Sequence, residues 1–371
     1  MTGTDKPRAR RLLLDVGPAS GKDGSRGIGR YVLGLIAAIG TWPPERQAMI
    51  HAIGVRGEGL AHFRERGIAS SWLGARPLDA GWLLGAAALR QGVARSMATV
   101  LHSTDPHRPW RSRKVRQIVM AYDLIPLHDA ALFATWRPHH RWVYRAYLRQ
   151  LREADRVIAI SEATAEDLQA SLGIERERIR LVYPVVVPPA RIARTPAAEP
   201  TFLVVGAPDP QKQPEVAMAA LRRFRETHGE GRLRFIGPAS SGRVKELMAL
   251  AGRLDLADHI GFEGWLPEDQ LNAAFAQATA LLFTSRIEGF GLPGVEAALR
   301  GLPAVAIATA ASRETIGETA MLTGPDPEEI SSAMALSREP DAAAVERLRQ
   351  RFSAEAVGEA LWSAYADLLN P

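Results

Sequence analysis

The sequence predicts an α/β protein made of two doubly wound, Rossmann-like domains with parallel sheets, and three observations carry the prediction. Short apolar runs bounded by Gly, Pro or Asp recur along the chain with helical patterns between them. Such unbroken apolar runs describe strands buried on both faces, as in sheets covered by helices. The length of 371 residues suits two domains better than one. A stretch at 183–200, with Pro184, Pro188, Pro189, Pro196 and Pro200, divides the chain near its middle, because proline removes amide donors and enforces extended backbone.

Taken in order, strands are expected at 12–16, 115–121, 157–160, 202–205, 233–236, 280–283 and 304–307. Helical patterns cover 28–39, 161–172, 214–227, 271–276 and 294–299, and an amphipathic one with Trp362 and Tyr365 covers 352–369. Two starts are well marked. Glu162 follows Ser161, and Pro267 opens Pro-Glu-Asp-Gln, so acidic side chains sit where the helix dipole favours them. The division is therefore a first domain at 1–183, a linker at 184–200, a second domain at 201–351 and a terminal helical segment at 352–371. Ligands of open α/β sheets bind outside the carboxyl ends of the strands, which places the expected site in the cleft between the domains.

Composition narrows the class. With no cysteine, disulfides, thiolate metal sites and cysteine nucleophiles are excluded. No apolar run approaches the roughly 18 residues of a membrane helix, and the polar, basic start with its short apolar run does not read as a signal peptide, so a cytoplasmic address is expected. His139 and His140 are adjacent, which points their side chains apart and argues against metal ligation. Net charge is +5, but residues 1–183 hold 28 basic against 17 acidic residues (+11) and residues 184–371 hold 18 against 24 (−6). A basic first half suits phosphate backbones, anionic lipid or phosphorylated substrates. The arginines are dispersed and form no nucleic-acid reader motif, so no nucleic-acid partner is expected.

From 140 to 154 the pattern is helical, and Arg141, Arg145, Arg149 and Arg152 share one face. Trp142, Tyr144, Tyr147, Leu148 and Leu151 lie around the rest, after Phe133 and Trp136. Two readings fit: an interfacial helix on an anionic membrane surface, or an ordinary helix with its apolar residues in the core.

Two phosphate-binding patterns fail. Residues 17–22 are one short of a P-loop, and Asp23 stands where a magnesium-binding hydroxyl is needed. Gly27-Ile28-Gly29 begins like a dinucleotide fingerprint, but Val32 occupies the third glycine. Two glycines entering a helix still suit an anion. The specific string runs from Phe283 to Val305, where a strand end, a turn with Glu288, and a helix with Glu296 succeed one another. These two carboxylates, separated by seven residues, bracket Gly289, Phe290, Gly291 and Leu292, so they can grip hydroxyls at two depths while amides take a charged oxygen between them.

This string resembles the E-x7-E segment of retaining glycosyltransferases of the GT-B fold, family 4, which includes bacterial polysaccharide and glycolipid transferases. The likeness extends along nearly the whole chain. Gly27 to Tyr31 resembles the family's N-terminal glycine loop, Ala121-Tyr122-Asp123-Leu124-Ile125-Pro126 its His-Asp-Leu-Ile-Pro strand end, and Ala154 to Ser161 its Ala-Asp-x-Val-Ile-x-x-Ser segment. Pro210-Gln211-Lys212-Gln213 resembles the Pro-Arg-Lys-Asn turn at the donor diphosphate, and 352–369 the helix that crosses back to the first domain.

The resemblance implies roles. Lys212 would neutralise the diphosphate as it departs, Glu296 would bind the ribose, and Glu288 would orient the transferred sugar, with Gly289, Phe290 and Gly291 supplying amides. Trp265 and Leu266 would flank the base, while Gly27 and Gly29 would approach the diphosphate. Tyr122 and Asp123 would stand beside the sugar. No cofactor or metal is implied, because Lys212 and helix amides supply the positive charge. Two positions depart from the family pattern: Gln211 replaces an arginine, which shifts weight to Lys212 and Arg286, and Tyr122 replaces a histidine. The expected function is transfer of a hexose from a nucleotide diphosphate sugar, with mannose favoured, to a lipid-linked or growing saccharide of the bacterial surface. It would take place in the cytoplasm or peripherally at the inner face of the plasma membrane. The alternative is a catalytically silent GT-B subunit that binds saccharide or a partner protein.

Overall fold

The structure, a computed structural model, describes residues 11–19, 27–54, 61, 70–72, 81–96, 98–187 and 193–369. The chain divides into two compact units, Met1–Val185 together with Phe352–Pro371, and Val186–Arg351.

The first unit holds a parallel sheet of seven strands: β1 (Leu12–Asp15), β2 (Ile50–Gly54), β3 (Ser70–Trp72), β4 (Val100–Ser103), β5 (Arg116–Ala121), β6 (Arg156–Ala159) and β7 (Ile179–Leu181). Their order is β3-β2-β1-β4-β5-β6-β7. The second unit holds β8 (Thr201–Val205), β9 (Arg232–Ile236), β10 (Ile260–Phe262), β11 (Ala280–Phe283), β12 (Ala304–Ile307) and β13 (Met321–Thr323), in the order β10-β9-β8-β11-β12-β13. All pairs are parallel, and the order of each sheet is that of the Rossmann fold, reversing beside its first strand. The α/β, GT-B architecture expected from the sequence is the one observed.

The seven apolar runs coincide with β1, β5, β6, β8, β9, β11 and β12, whose residues are nearly all buried. Strands that escaped the pattern have physical reasons to do so. β7 and β13 are three-residue edge strands, and β4 carries the polar His102 and Ser103 in its second half. His102 is buried there because its Nδ1 meets the Tyr365 hydroxyl at 2.6 Å.

Tyr365 belongs to the helix Ala354–Leu369, which packs on the helix Gly27–Gly40 within the first unit. Trp42 donates from Nε1 to the Gly358 carbonyl at 2.9 Å, and Arg156 grips both oxygens of Asp367 at 2.5 and 2.7 Å. Gly358 permits the approach, since a Cβ there would lie 2.9 Å from the Ala38 oxygen.

The helix read at 140–154 is found at Pro138–Glu153, and the structure decides between its two readings for the apolar flank. Tyr144, Tyr147, Leu148 and Leu151 pack with Val119, Ala121 and Val157 in the core, and Phe133 and Trp136 cover the cluster. They belong to no membrane face: the sheet claims them, because the helix must cover β5 and β6. Trp142 and the arginines at 145, 149 and 152 remain exposed.

Candidate functional site

In the second unit the strand order reverses between β8 and β11, and the crevice outside their carboxyl ends is where such a sheet receives ligands. Two loops meet there. The loop after β8 ends in a single 3-10 turn, Pro210–Lys212, and the loop after β11 runs from Thr284 to Gly291. Thr284 donates from Oγ1 to the Lys212 carbonyl at 2.7 Å, and the Arg286 amide donates to the Gln211 carbonyl at 2.9 Å. One side-chain and one backbone donor thus tie the two loops across 70-odd residues of sequence, and two side chains are brought together as a result.

These are Lys212 and Glu288. Nζ donates to Oε1 at 2.7 Å, with both side chains largely buried at 17% and 16% exposure. Ser285 Oγ donates to the same oxygen at 2.7 Å. The arrangement sets a cation able to meet an anion beside a carboxylate able to accept from hydroxyls. At partial burial both interactions are stronger than in water.

The surrounding backbone is under constraint. Gln213 takes a left-handed φ of 47°, a conformation that costs a non-glycine residue roughly 1–2 kcal/mol, and it opens the helix Pro214–His228 immediately after the lysine. Gly206, at φ 116°, lies under the Lys212 side chain, where a Cβ would come within 3.0 Å of Cε. Gly291, at φ 90°, caps the helix Leu292–Leu299 with Pro293 in its first turn. A Cβ on Gly291 would stand 3.0 Å from the Phe283 ring. Glu296 is buried at 5% exposure on that helix, and Gly289 and Phe290 are buried ahead of it. Trp265 and Leu266 follow β10, two strands away from β8, with Trp265 exposed and Leu266 half-buried.

In the first unit Gly27, at φ 42°, and the buried Gly29 begin the helix Gly27–Gly40. Tyr122 and Asp123 follow β5. The Tyr122 hydroxyl is buried and donates to the Thr104 carbonyl at 2.8 Å, and its ring meets that of Tyr31 edge-on at 5.4 Å. Asp123 Oδ1 accepts from the Ile125 amide at 3.1 Å, shaping the turn that leads into Pro126. Tyr122, Asp123, Trp136, Val143 and Tyr144 wall a cavity of about 330 Å³ that His107 and His140 also line. The lining residues His107 and Val143, and the Tyr122 partner Thr104, carried no sequence signal, because only the fold brings β4, β5 and the helix Pro138–Glu153 to one edge. Thr284 and Ser285 lay inside the singled-out string, yet their partners are set by tertiary structure alone. Among the described residues no group of three or more His, Asp or Glu could hold a metal ion.

Comparison with known proteins fits this geometry. Residues 27–188 match the model of the family described as Glycosyltransferase Family 4, and residues 191–355 match Glycosyl transferases group 1. The chain belongs to the family-4 type of GT-B glycosyltransferases. More particularly, it is 32% identical over 209 residues to a D-inositol 3-phosphate glycosyltransferase of Acidothermus cellulolyticus, covering 50% of this chain and 46% of that one. Against the protein of the same name from Mycolicibacterium smegmatis, identity is 28% over 266 residues, covering 67% and 59%. The matches thus span about half the length of these curated relatives. Among solved structures, sucrose-phosphate synthase from Thermosynechococcus elongatus superposes with a TM-score of 0.73 at 19% identity, covering 97% of this chain and 99% of that one. Anabaena HepE in complex with UDP-glucose does so with a TM-score of 0.69 at 17% identity, covering 96% and 99%.

Proposed function

We propose that this chain is a retaining glycosyltransferase that moves a hexose, with mannose favoured, from a nucleotide diphosphate sugar to a hydroxyl of a lipid-linked or growing saccharide. The observation that carries the reading is the Lys212–Glu288 pair at the crossover of the second sheet. Cleavage of the donor leaves a diphosphate whose charge grows along the reaction. A cation already fixed at that point stabilises the transition state more than the ground state. Glu288, oriented by Ser285, accepts hydrogen bonds from sugar hydroxyls and so sets the face presented by the anomeric carbon. Glu296 and the amides of Gly289, Phe290 and Gly291 serve the ribose and the diphosphate, and Trp265 and Leu266 flank the base. The acceptor's proton passes to the departing phosphate oxygen, so no second carboxylate is required of the chain. Catalysis consists mostly of positioning and charge stabilisation. No cofactor and no metal belong to this scheme.

The donor is tested by thermal shift with GDP, UDP, dTDP and their sugars, because a ligand at 100 times its Kd stabilises by about 2.7 kcal/mol. A donor that shifts Tm and is then hydrolysed without acceptor supports transfer. Binding without any turnover favours a silent saccharide-binding or partner-binding subunit instead. For the membrane, no helix among the described residues is long and apolar enough to cross a bilayer. Peripheral binding at the inner face of the plasma membrane would rest on the exposed arginines at 145, 149 and 152 with Trp142. Each cation contributes about 1 kcal/mol near an anionic surface. Replacing Arg141, Arg145, Arg149 and Arg152 by Gln is expected to reduce sedimentation with anionic vesicles at low salt, and unchanged sedimentation would remove the membrane from the scheme.

A further inference from the structure

The excess of cations in the first half of the chain has no part in the donor site, and one group of them is built into a cavity. Residues 111–116, Arg-Ser-Arg-Lys-Val-Arg, lead into β5, whose first residue is Arg116. Trp110 and Val115, on either side of the polar stretch, pack with Leu13, Leu89 and Leu101 in the core of the unit. The Trp110 carbonyl accepts from Gln117 Nε2 at 3.2 Å and from Gln150 Nε2 at 2.8 Å. The segment between is thus braced at both ends. Within it the Lys114 amide donates to Ser112 Oγ at 3.1 Å, and Arg111, Arg113, Lys114 and Arg116 are exposed. All four cations, with Ser112, line a cavity of about 530 Å³. A cavity of that size holds a small molecule.

The charge in this cavity is unbalanced. Arg111 is spent, since its Nη1 donates to Glu153 Oε2 at 2.7 Å. Arg113, Lys114 and Arg116 form no ion pair among the described residues. Two carboxylates share the cavity, and other groups engage both. Glu153 also accepts from Arg149 Nε at 2.9 Å, and Asp155 Oδ2 accepts from the Gln117 amide at 2.7 Å. Three unpaired cations within four residues repel one another, and an anion that enters between them gains from all three. The guanidinium fork matches phosphate oxygens two at a time, and lysine adds a point charge. Position in the sheet separates this cavity from the expected substrates. Arg116 opens β5 and Tyr122 follows its carboxyl end, roughly 20 Å away at about 3.3 Å per residue.

We infer that this cavity is a second anion site, and that it takes a chain of phosphates, as in inorganic polyphosphate or the tail of a nucleoside triphosphate. Three free cations on one braced segment call for several linked anionic groups, and a single phosphate would leave part of their charge unmet. A concave wall suits a discrete molecule, whereas a flat bilayer does not enter it. The inference does not depend on the transferase reading.

Calorimetric titration of the full chain with inorganic tripolyphosphate at physiological ionic strength tests it. Because a nucleotide-sugar site also accepts phosphates, the titration is repeated on Lys212→Ala, in which binding is expected to survive. The triple variant Arg113→Gln, Lys114→Gln, Arg116→Gln should bind about tenfold or more weakly, as befits loss of hydrogen bonds to charged groups. Arg113→Gln alone should weaken binding about threefold, and it carries the test if the triple variant fails to fold. The control Arg141→Gln, Arg145→Gln, Arg152→Gln removes the same charge from another part of the unit and should leave Kd within about twofold. Orthophosphate should bind about tenfold more weakly than tripolyphosphate. Tighter binding of ATP would assign the nucleotide as the source of the phosphates, and equal or weaker binding the inorganic chain. Affinity unchanged in a folded triple variant, or lost equally in the control, would overturn the inference. So would loss of binding in Lys212→Ala, orthophosphate binding as tightly as tripolyphosphate, or affinity for phosphatidylglycerol vesicles with none for tripolyphosphate.

Discussion

Lys212 Nζ and Glu288 Oε1 lie 2.7 Å apart although 76 residues separate them in the chain. Neither side chain is needed to hold the other's loop, because Thr284 and Arg286 already tie the two loops through backbone oxygens. Function and fold are therefore separable here by substitution.

Lys212→Ala and Glu288→Ala are each expected to abolish transfer and to leave a cooperative unfolding transition in place. By comparison with oxyanion-hole donors, loss of such a contact raises the barrier by about 2.7–4 kcal/mol, or two to three orders of magnitude in rate. Glu296→Ala should act chiefly on donor KM, as a contact equal in ground and transition states does. Steady-state kinetics with saturating acceptor checks all three, and near-normal turnover in the first two would show that the donor site is misplaced.

Gly237→Ala should harm the same site through the backbone. At φ 156° a Cβ on residue 237 would lie 2.4 Å from the carbonyl carbon and oxygen of Gly206, the residue beneath Lys212. Backbone at a strand end cannot yield as a flexible side chain can, so the loss of stability should exceed the roughly 1 kcal/mol typical of point substitutions. Calorimetry should show Tm falling by more than about 2–4 °C, and an unshifted Tm would contradict the packing described.

Tyr122→Phe is expected to retain most activity and to lose about 1 kcal/mol of stability, since the hydroxyl is spent on the Thr104 carbonyl. Tyr122→Ala should be far worse, as it removes the ring that meets Tyr31 and walls the cavity. Loss of transfer in a stable Phe variant would instead assign the hydroxyl a role at the sugar.

His102 makes the first unit sensitive to acid. Burial lowers its pKa from 6.5 to about 3, so the ring stays neutral in the fold while the unfolded chain takes up a proton below 6.5. The stability this group contributes is full above pH 6.5 and is lost as pH falls toward 3. His102→Gln should flatten that part of the stability profile in urea titrations run from pH 7 to 4, and an unchanged slope would exclude His102 as its source.

Much of this was legible in the residues. β11, the turn with Glu288 and the helix carrying Glu296 can be read from one string, because a buried strand, a glycine turn and a helix start each leave a local mark. The partnership of Lys212 with Glu288 is not local and leaves none. Tyr144 and Tyr147 show the opposite failure: amphipathic residues on a helix read equally as membrane face or core, and only the presence of β5 and β6 beneath them decides. His102 and Ser103 are illegible for a third reason, since polar residues interrupt the very pattern by which a strand is recognised.

The helix Ala354–Leu369 also bears on how the polypeptide matures. Its Tyr365, Asp367 and Gly358 seal against His102, Arg156 and Trp42, partners synthesised some 200 to 300 residues earlier. The contiguous second unit can close as soon as residue 351 has left the ribosome. The first, although begun earlier, must wait until residues 354–369 have been made before its seam is shut. A ribosome that stops before that helix would release a chain with one finished unit and one open unit, and quality-control proteases would be expected to recognise the open one.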